Sequence, residues 1–366
     1  MRDRAEACRG GLLGLAVGDA MGYTVDDRSW DEIRRDYGPN GLMGYDLVNG
    51  YADVTSYTQI AAFTANALLL GITRGQMRGV MGPYVRYIAL GLREWARGQR
   101  YRAVPEPGYC WLSAHRELCA RRCMDTLLLD TLQKEKLGSL EEPVNRYCAP
   151  GVLTAAVPVG LFADGVRAGQ PEIDRLAAEA VALTHGSPGA FLPAAVLAHL
   201  ISDTASDGTD GWTDRVKRAM SAVQAQFGRE YPQTAELWEL LRMATTMAGA
   251  DRIAPAEAME QLRCRTGGEV LAGAVYACLV SGGDFDAALI TAVNHSGRSA
   301  AVGAVTGALL GTQLGEGALP EFYLECLEPA PMLRELASDL ARGCPMARDS
   351  GLFDDAWDEK YNPRLG

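Results

Sequence analysis

Apolar residues recur at three- and four-residue spacing along most of the chain, the period of a helix that buries one face. The pattern runs from Ala5 to Ala16, from Ile60 to Ile72 and from Val80 to Trp95. It predicts further helices over 125–135, 151–165, 171–184, 188–203, 212–228 and 231–248, then over 267–281, 284–293, 298–314 and 331–342. Two-residue alternation is scarce, and Gly and Pro fall between the helical stretches rather than at hairpin spacing. The expected fold class is all-α. No low-complexity run or long Pro/Ser/Gly linker divides the chain, so 1–366 is expected to form one domain, with 100–112 as a loop. The tail, 343–366, carries Phe353, Trp357 and Tyr361 among acids. Exposed rings are costly, so these are expected to fold back onto the body.

One helical stretch is unusual. Gly303, Gly307 and Gly311 stand four residues apart within 298–314, with Ala300, Ala301, Ala304 and Ala308 between them. Each interior glycine costs roughly 0.5–1 kcal/mol relative to alanine, and close backbone approach is the simplest compensation. This helix is therefore expected to run through the middle of the bundle, its N-terminus deep in the fold behind Asn294-His295-Ser296-Gly297. A buried helix N-terminus presents free N–H groups and a positive dipole end. It suits a ligand, although a cap from Ser296 would satisfy the same donors.

Composition narrows the function classes. The chain has 46 acidic and 35 basic residues, a net charge of −11, and 48% hydrophobic residues. That balance excludes a broad basic face for nucleic acid, but leaves room for a phosphate-bearing small molecule in a local pocket. The nine cysteines are Cys8, Cys110, Cys119, Cys123, Cys148, Cys264, Cys278, Cys326 and Cys344. Their spacing is irregular, and Cys119 and Cys123 lack the second Cys/His pair a zinc site needs, so they read as thiols in a reducing compartment. The charged opening, Met1 to Glu6, has no signal-peptide pattern. No apolar run reaches the roughly 18 residues of a membrane span. A cytoplasmic location is expected, with neither membrane nor nucleic acid as partner.

Four stretches then match, in order, a known family. Gly10-Gly11-Leu12-Leu13-Gly14-Leu15-Ala16-Val17-Gly18-Asp19-Ala20-Met21-Gly22 resembles the first helix of the ADP-ribosylglycohydrolases. So does Ala52-Asp53-Val54-Thr55-Ser56-Tyr57-Thr58-Gln59, continuing through Phe63 to Leu69. Leu183-Thr184-His185-Gly186-Ser187-Pro188 and Ala292-Val293-Asn294-His295-Ser296-Gly297 follow, and the ending Trp357 to Tyr361 also fits. The resemblance covers nearly the whole chain. It implies a compact orthogonal multi-helix bundle with a binuclear magnesium centre in a central cleft, and hydrolysis of ADP-ribosyl bonds to arginine, serine or related compounds. Magnesium suits that chemistry as a hard cation held by carboxylate and hydroxyl oxygens, orienting ribose hydroxyls and an attacking water.

The sequence departs from the family at the metal ligands. Where the family has Thr/Ser-Asp-Asp-Thr, this chain has Thr55-Ser56-Tyr57-Thr58. Where the family has Gly-Asp-Ser/Thr-Asp-Ser/Thr, it has Gly297-Arg298-Ser299-Ala300-Ala301. A further family acid corresponds to Asp26, with Asp27 beside it. One carboxylate cannot balance two divalent ions, and Arg298 would repel them by roughly 4 kcal/mol at an effective dielectric near 20. Sliding the register restores nothing: Asp53 is the nearest acid to the first motif, and none lies between Asn294 and Gly311. The family's magnesium pair is expected to be absent, leaving no cofactor. The family's phosphate loop is matched by Asn145-Arg146-Tyr147-Cys148-Ala149-Pro150-Gly151-Val152, in which Pro150 removes a donor and Tyr147 and Cys148 add bulk.

The candidate cleft residues are Asp26, Asp53, Tyr57, His185, His295 and Arg298, with Thr55, Ser56, Tyr57, Arg298 and Ser299 as candidate ligand contacts. Arg298 is expected to turn inward and pair with Asp26 or Asp53, because an interior helix terminus leaves it little water. His185 and His295 read first as packing or capping groups. Three functions are consistent with these residues. One is a non-hydrolytic binding or regulatory protein, with a small-molecule or ADP-ribose-like ligand. Another is an enzyme turned to metal-independent chemistry on a nucleotide-like or other small molecule. The third is a magnesium-dependent ADP-ribosyl hydrolase.

Overall fold

The computed structural model describes residues 3–100, 108–122, 125–162, 169–206, 210–250 and 253–363. Seventeen α-helices and no strand beyond isolated bridges occur among the described residues. They are α1 (Arg4–Tyr23), α2 (Trp30–Tyr37), α3 (Ser56–Arg78), α4 (Tyr84–Arg100), α5 (Thr126–Leu132) and α6 (Ala156–Leu161). Next come α7 (Gln170–Ala182), α8 (Pro188–Ser206), α9 (Trp212–Phe227), α10 (Thr234–Ala248), α11 (Pro255–Leu262) and α12 (Gly267–Val280). The chain closes with α13 (Phe285–Val293), α14 (Ser299–Leu314), α15 (Glu321–Glu325), α16 (Ala330–Arg342) and α17 (Asp355–Tyr361). The all-α reading holds.

The centre of the fold is the antiparallel pair α1 and α14. A Cβ added to Gly10, Gly14 or Gly18 would overlap the carbonyl oxygen of Gly311, Gly307 or Gly303 respectively, and one on Gly22 would overlap that of Ser299. The four-residue glycine spacing of both helices thus puts backbone against backbone, which offsets the low helix propensity of glycine. α14 is buried from Ser299 to Thr312, and α1 is buried from Gly10 to Gly22. Because the helices run in opposite directions, the C-terminal end of α1 meets the N-terminal end of α14. That junction forms the candidate site.

Four short helices escape the periodicity. α2 buries only Ile33, so its apolar pattern is a single point, although Ser29 and Glu32 form a capping box that marks its start. α11 and α15 are also short, and α17 lies in the predicted tail. There Trp357 and Tyr361 are buried; the Trp357 indole donates to Thr73 Oγ1 at 2.8 Å and the Tyr361 hydroxyl to Asp339 at 2.7 Å. Phe353 departs from expectation: it is 54% exposed, on the turn before α17. Residues 101–107 of the predicted loop, 163–168 of the predicted helix 151–165, and Cys123 lie outside the described residues.

Replacing Gly14 by Ala forces the helices apart at a rigid backbone contact, and is expected to cost about 3 kcal/mol or more. Gly44 has no atom within 4 Å of an added Cβ. Gly44→Ala should therefore shift stability by less than about 1 kcal/mol. Urea unfolding of both variants checks the contrast.

Candidate functional site

Two helix N-termini converge at this junction. α3 starts after Thr55, whose side chain accepts from the Tyr57 N–H at 3.2 Å. Asp19, on α1 and fully buried, completes the cap from across the interface. One of its oxygens accepts from Thr55 N at 2.8 Å, Thr58 N at 3.1 Å and Thr58 Oγ1 at 2.6 Å; the other accepts from Thr55 Oγ1 at 2.7 Å. A carboxyl group here answers both the free N–H groups and the positive end of the helix dipole. Asp19 stands in the first matched stretch, but nothing in its spacing marked it as the anchor of α3.

The N-terminus of α14 is capped in a similar way. Asp26 Oδ1 accepts from Ala300 N at 3.1 Å. Ser296, the alternative cap, does not cap this helix: its hydroxyl accepts instead from Trp30 N at 2.8 Å, tying α2 to the loop before α14. Arg298 turns toward the acids after α1. Its guanidinium pairs with Asp27 and lies 3.5 Å from Asp26 Oδ2. The second partner offered for it in the sequence, Asp53, is engaged elsewhere, held at 2.6 Å by Arg122, which also donates to the Val54 carbonyl. Burial raises the Asp26 carboxyl to about 6, against the pull of the Ala300 N–H and Arg298. Asp27 adopts a left-handed backbone, φ 58°, a conformation that Asp tolerates better than most residues.

Tyr57 fills the space between the two helix ends. Its ring is 7% exposed and its backbone carbonyl accepts from Thr154 Oγ1 at 2.7 Å. Burial, reinforced by Asp26 and opposed by Arg298, pushes its hydroxyl pKa well up, so the phenol stays neutral. The cavity that remains is about 20 Å³, room for about one water. Asp26, Thr55, Ser56, Tyr57 and Arg298 line it, as do Tyr23, Arg122, Asp125 and the turn Ala149–Gly151.

The other sequence candidates stand back from the cavity. Asp53 is held beside it by Arg122, which lines it, and Ser299 is buried with its hydroxyl 3.4 Å from the His295 carbonyl. His295 is a brace within the chain: Nε2 donates to the Ala292 carbonyl at 2.9 Å and Nδ1 accepts from Gly297 N at 2.9 Å. His185 is one layer behind, its Nδ1 2.9 Å from Thr184 Oγ1 and its Nε2 3.3 Å from Asp125 Oδ2. Asp125 is the residue that sequence reasoning missed. It caps α5 through Leu128 N at 3.0 Å, and its carboxylate presses on Gly151, where a Cβ would overlap Oδ2. Burial alone would raise Asp125, but His185 and the helix N–H groups outweigh it and hold the carboxyl below its usual range. The only signal in the sequence was an Asp directly before the apolar run Thr126–Leu129.

The segment matched to a phosphate loop is internally tied. Asn145 Oδ1 accepts from Tyr147 N and Gly186 N, both at 3.0 Å, while the Cys148 carbonyl accepts from Gly267 N at 2.9 Å. On its far side lies a second cavity of about 800 Å³ between the starts of α8 and α12 and the face of α10. Pro188, Pro193, Leu237, Leu240 and Met243 give it an apolar lining, and Glu269, paired with Arg263, closes one end.

A family model for ADP-ribosylglycohydrolases matches residues 1–350. The chain belongs to the ADP-ribosylglycohydrolase family. Among solved structures it is similar to an ADP-ribosylglycohydrolase-related protein complex, at 23% identity and a TM-score of 0.53, covering 93% of this chain and 99% of that one. No curated protein sequence matches it. At that identity the structural likeness carries the fold alone. Among the described residues, no three His, Cys, Asp or Glu side chains stand close enough to share a metal ion. The donor set at the helix junction does not fit a magnesium pair. Asp26 is already bound to Ala300 N, a guanidinium stands beside it, and a phenol ring fills the space.

The buried His295 has a pKa lowered from 6.5 to about 4 by burial, so the unfolded chain binds the extra proton between those values. Its contribution to stability is complete above pH 6.5 and is lost as pH falls toward 4. Asp26 works in the opposite sense, but equally in both proteins of a pair differing only at His295. Wild type is therefore expected to lose up to roughly 3 kcal/mol more than His295→Gln between about pH 7 and pH 4. Denaturant melts across that range measure the difference.

Proposed function

We propose that this ADP-ribosylglycohydrolase family member is a non-hydrolytic binding or regulatory protein. The observation that carries the reading is the filled helix junction, where Tyr57 and the Arg298–Asp26–Asp27 cluster leave about 20 Å³. Arg298 supplies internally the positive charge that a metal would otherwise bring to the acids. Asp125 against Gly151 puts a negative group beside the matched phosphate loop, which disfavours a phosphate there. Ligand binding then falls to the 800 Å³ cavity beyond that loop, whose size and apolar lining suit a small molecule. Its exposed rim acid Glu236 favours a neutral or cationic planar ligand such as a nucleoside over a phosphorylated one, while Glu239 is already paired with Arg242.

Magnesium titration calorimetry should show no stoichiometric binding, and ADP-ribosyl-arginine should be hydrolysed no faster with magnesium than with chelator. Two ions in a magnesium-soaked crystal, or magnesium-dependent hydrolysis, overturns the reading. Met243→Trp, which fills the second cavity, should abolish any thermal shift produced by nucleosides while leaving the unliganded melting temperature within a few degrees.

A second reading rests on Asp125, backed by His185, and the raised Asp26 carboxyl, the two acids lining one water-sized space and suiting metal-independent acid–base chemistry. Turnover of a nucleoside or NAD-like compound in chelator, lost in both Tyr57→Phe and Arg298→Ala, would favour it over the first.

A further inference from the structure

A groove of about 650 Å³ opens between Tyr51, the helix α15 and the first turn of α16. It is built at the opposite end of α1 from the filled junction. Glu316, at its floor, bridges Arg9 at 2.8 Å and Arg334 at 2.5 Å, and the N–H of Gly317 bonds Glu6 at 3.2 Å. The arginine of the groove is thus neutralised from within. The acids of the rim are not. Glu321 and Glu325, one turn apart on α15, and Glu328 beyond it are exposed and have no ion-pair partner among the described residues.

Apolar surface runs alongside these acids. Tyr51 is 50% exposed at the groove wall, its turn partner Val48 is 57% exposed, and Phe322 beside the acids is 53% exposed. This surface is held firmly in place. Ala52 N donates to the Cys326 carbonyl at 2.9 Å, and the Tyr45 and Phe322 rings both pack on buried Tyr323. Exposed apolar side chains beside unpaired carboxylates on an ordered groove fit a partner with the complementary pattern.

We propose that this groove is a docking site for a basic amphipathic segment of a partner protein, its Lys or Arg side chains meeting Glu321, Glu325 and Glu328 and its apolar side chains meeting Tyr51 and Leu324. The acids give orientation and rate, and the apolar contacts give residence. Helix-in-groove recognition places such anchors three and four residues apart, which is the spacing of the three glutamates. The surface does not depend on what the helix junction binds or hydrolyses.

The probe is a fluorescein-labelled alanine-based peptide with lysines at four-residue spacing on one helical face and leucines on the next. Anisotropy titration against the full chain should give a dissociation constant in the micromolar range that rises with salt. The double reversal Glu321→Lys, Glu325→Lys should weaken binding about tenfold or more, and Tyr51→Ala should weaken it several-fold, mostly through faster dissociation. The same charge change made at Glu135 and Glu142, on a different loop, should leave binding within about twofold. Equal weakening by both reversals marks non-specific attraction to an acidic protein and overturns the proposal, as does no binding at all. Self-association in sedimentation that is lost in the Tyr51 variant would assign the groove to a second copy, and overturns it as well. Far-UV circular dichroism of each variant separates a lost surface from a lost fold.

Discussion

The contact of bare backbone against bare backbone between α1 and α14 is the constraint on which the rest of the molecule depends. Four glycines of one helix and three glycines and a serine of the other share one antiparallel register. A slip by one residue would drive side chains into carbonyl groups. That register sets Asp19 under the first turn of α3 and delivers the chain after α1 to the first turn of α14. The two caps, one across an interface and one around a corner, are consequences of where the helices touch.

With the framework fixed in this way, the chemistry at the junction is decided by a few side chains. Two converging helix N-termini concentrate positive potential, which needs negative groups to balance it. Asp19 and Asp26 meet that need for the backbone, and once they are committed to N–H groups little negative charge is left for cations. Arg298 then stands where it is stabilised, because Asp26 and Asp27 face it and Tyr57 excludes water beside it. Removing the guanidinium alone would leave the largely buried Asp26 beside Asp27 with no cation to offset either, so the cluster works as a unit. The Asp125–His185 pair is likewise internal, the imidazole Nε2 standing 3.3 Å from Asp125 Oδ2.

Much of this was legible in the residues, and the failures are physical. Long helices showed themselves by period, and the glycine spacing of 298–314 announced the central packing before its partner was known. Tyr57 and Arg298 were readable as departures because they replace small acids in an otherwise matched pattern. What stayed hidden were interactions between residues distant in sequence. Asp125 and His185 are sixty positions apart by their numbers, and neither carries a mark of the other. The Ser296 cap failed for a local reason: the hydroxyl had the correct position in sequence, but α2 offered it an N–H first. Short helices such as α2 were missed because one buried side chain makes no period, and there the capping box was the better signal.

The partnership of α1 and α14 also has a consequence in time. Gly10 to Gly22 leave the ribosome well before Ser299 to Gly311, with more than 270 residues between Gly22 and Ser299. The nascent α1 is buried on nearly every side in the finished fold and lacks its main partner until α14 is made. Closing that pair requires a loop of more than 270 residues, a slow kind of contact to form. During this interval the first helix is a natural client for a chaperone. Formation of the central pair therefore waits on the synthesis of α14, and a chain truncated before α14 keeps the glycine face of α1 uncovered.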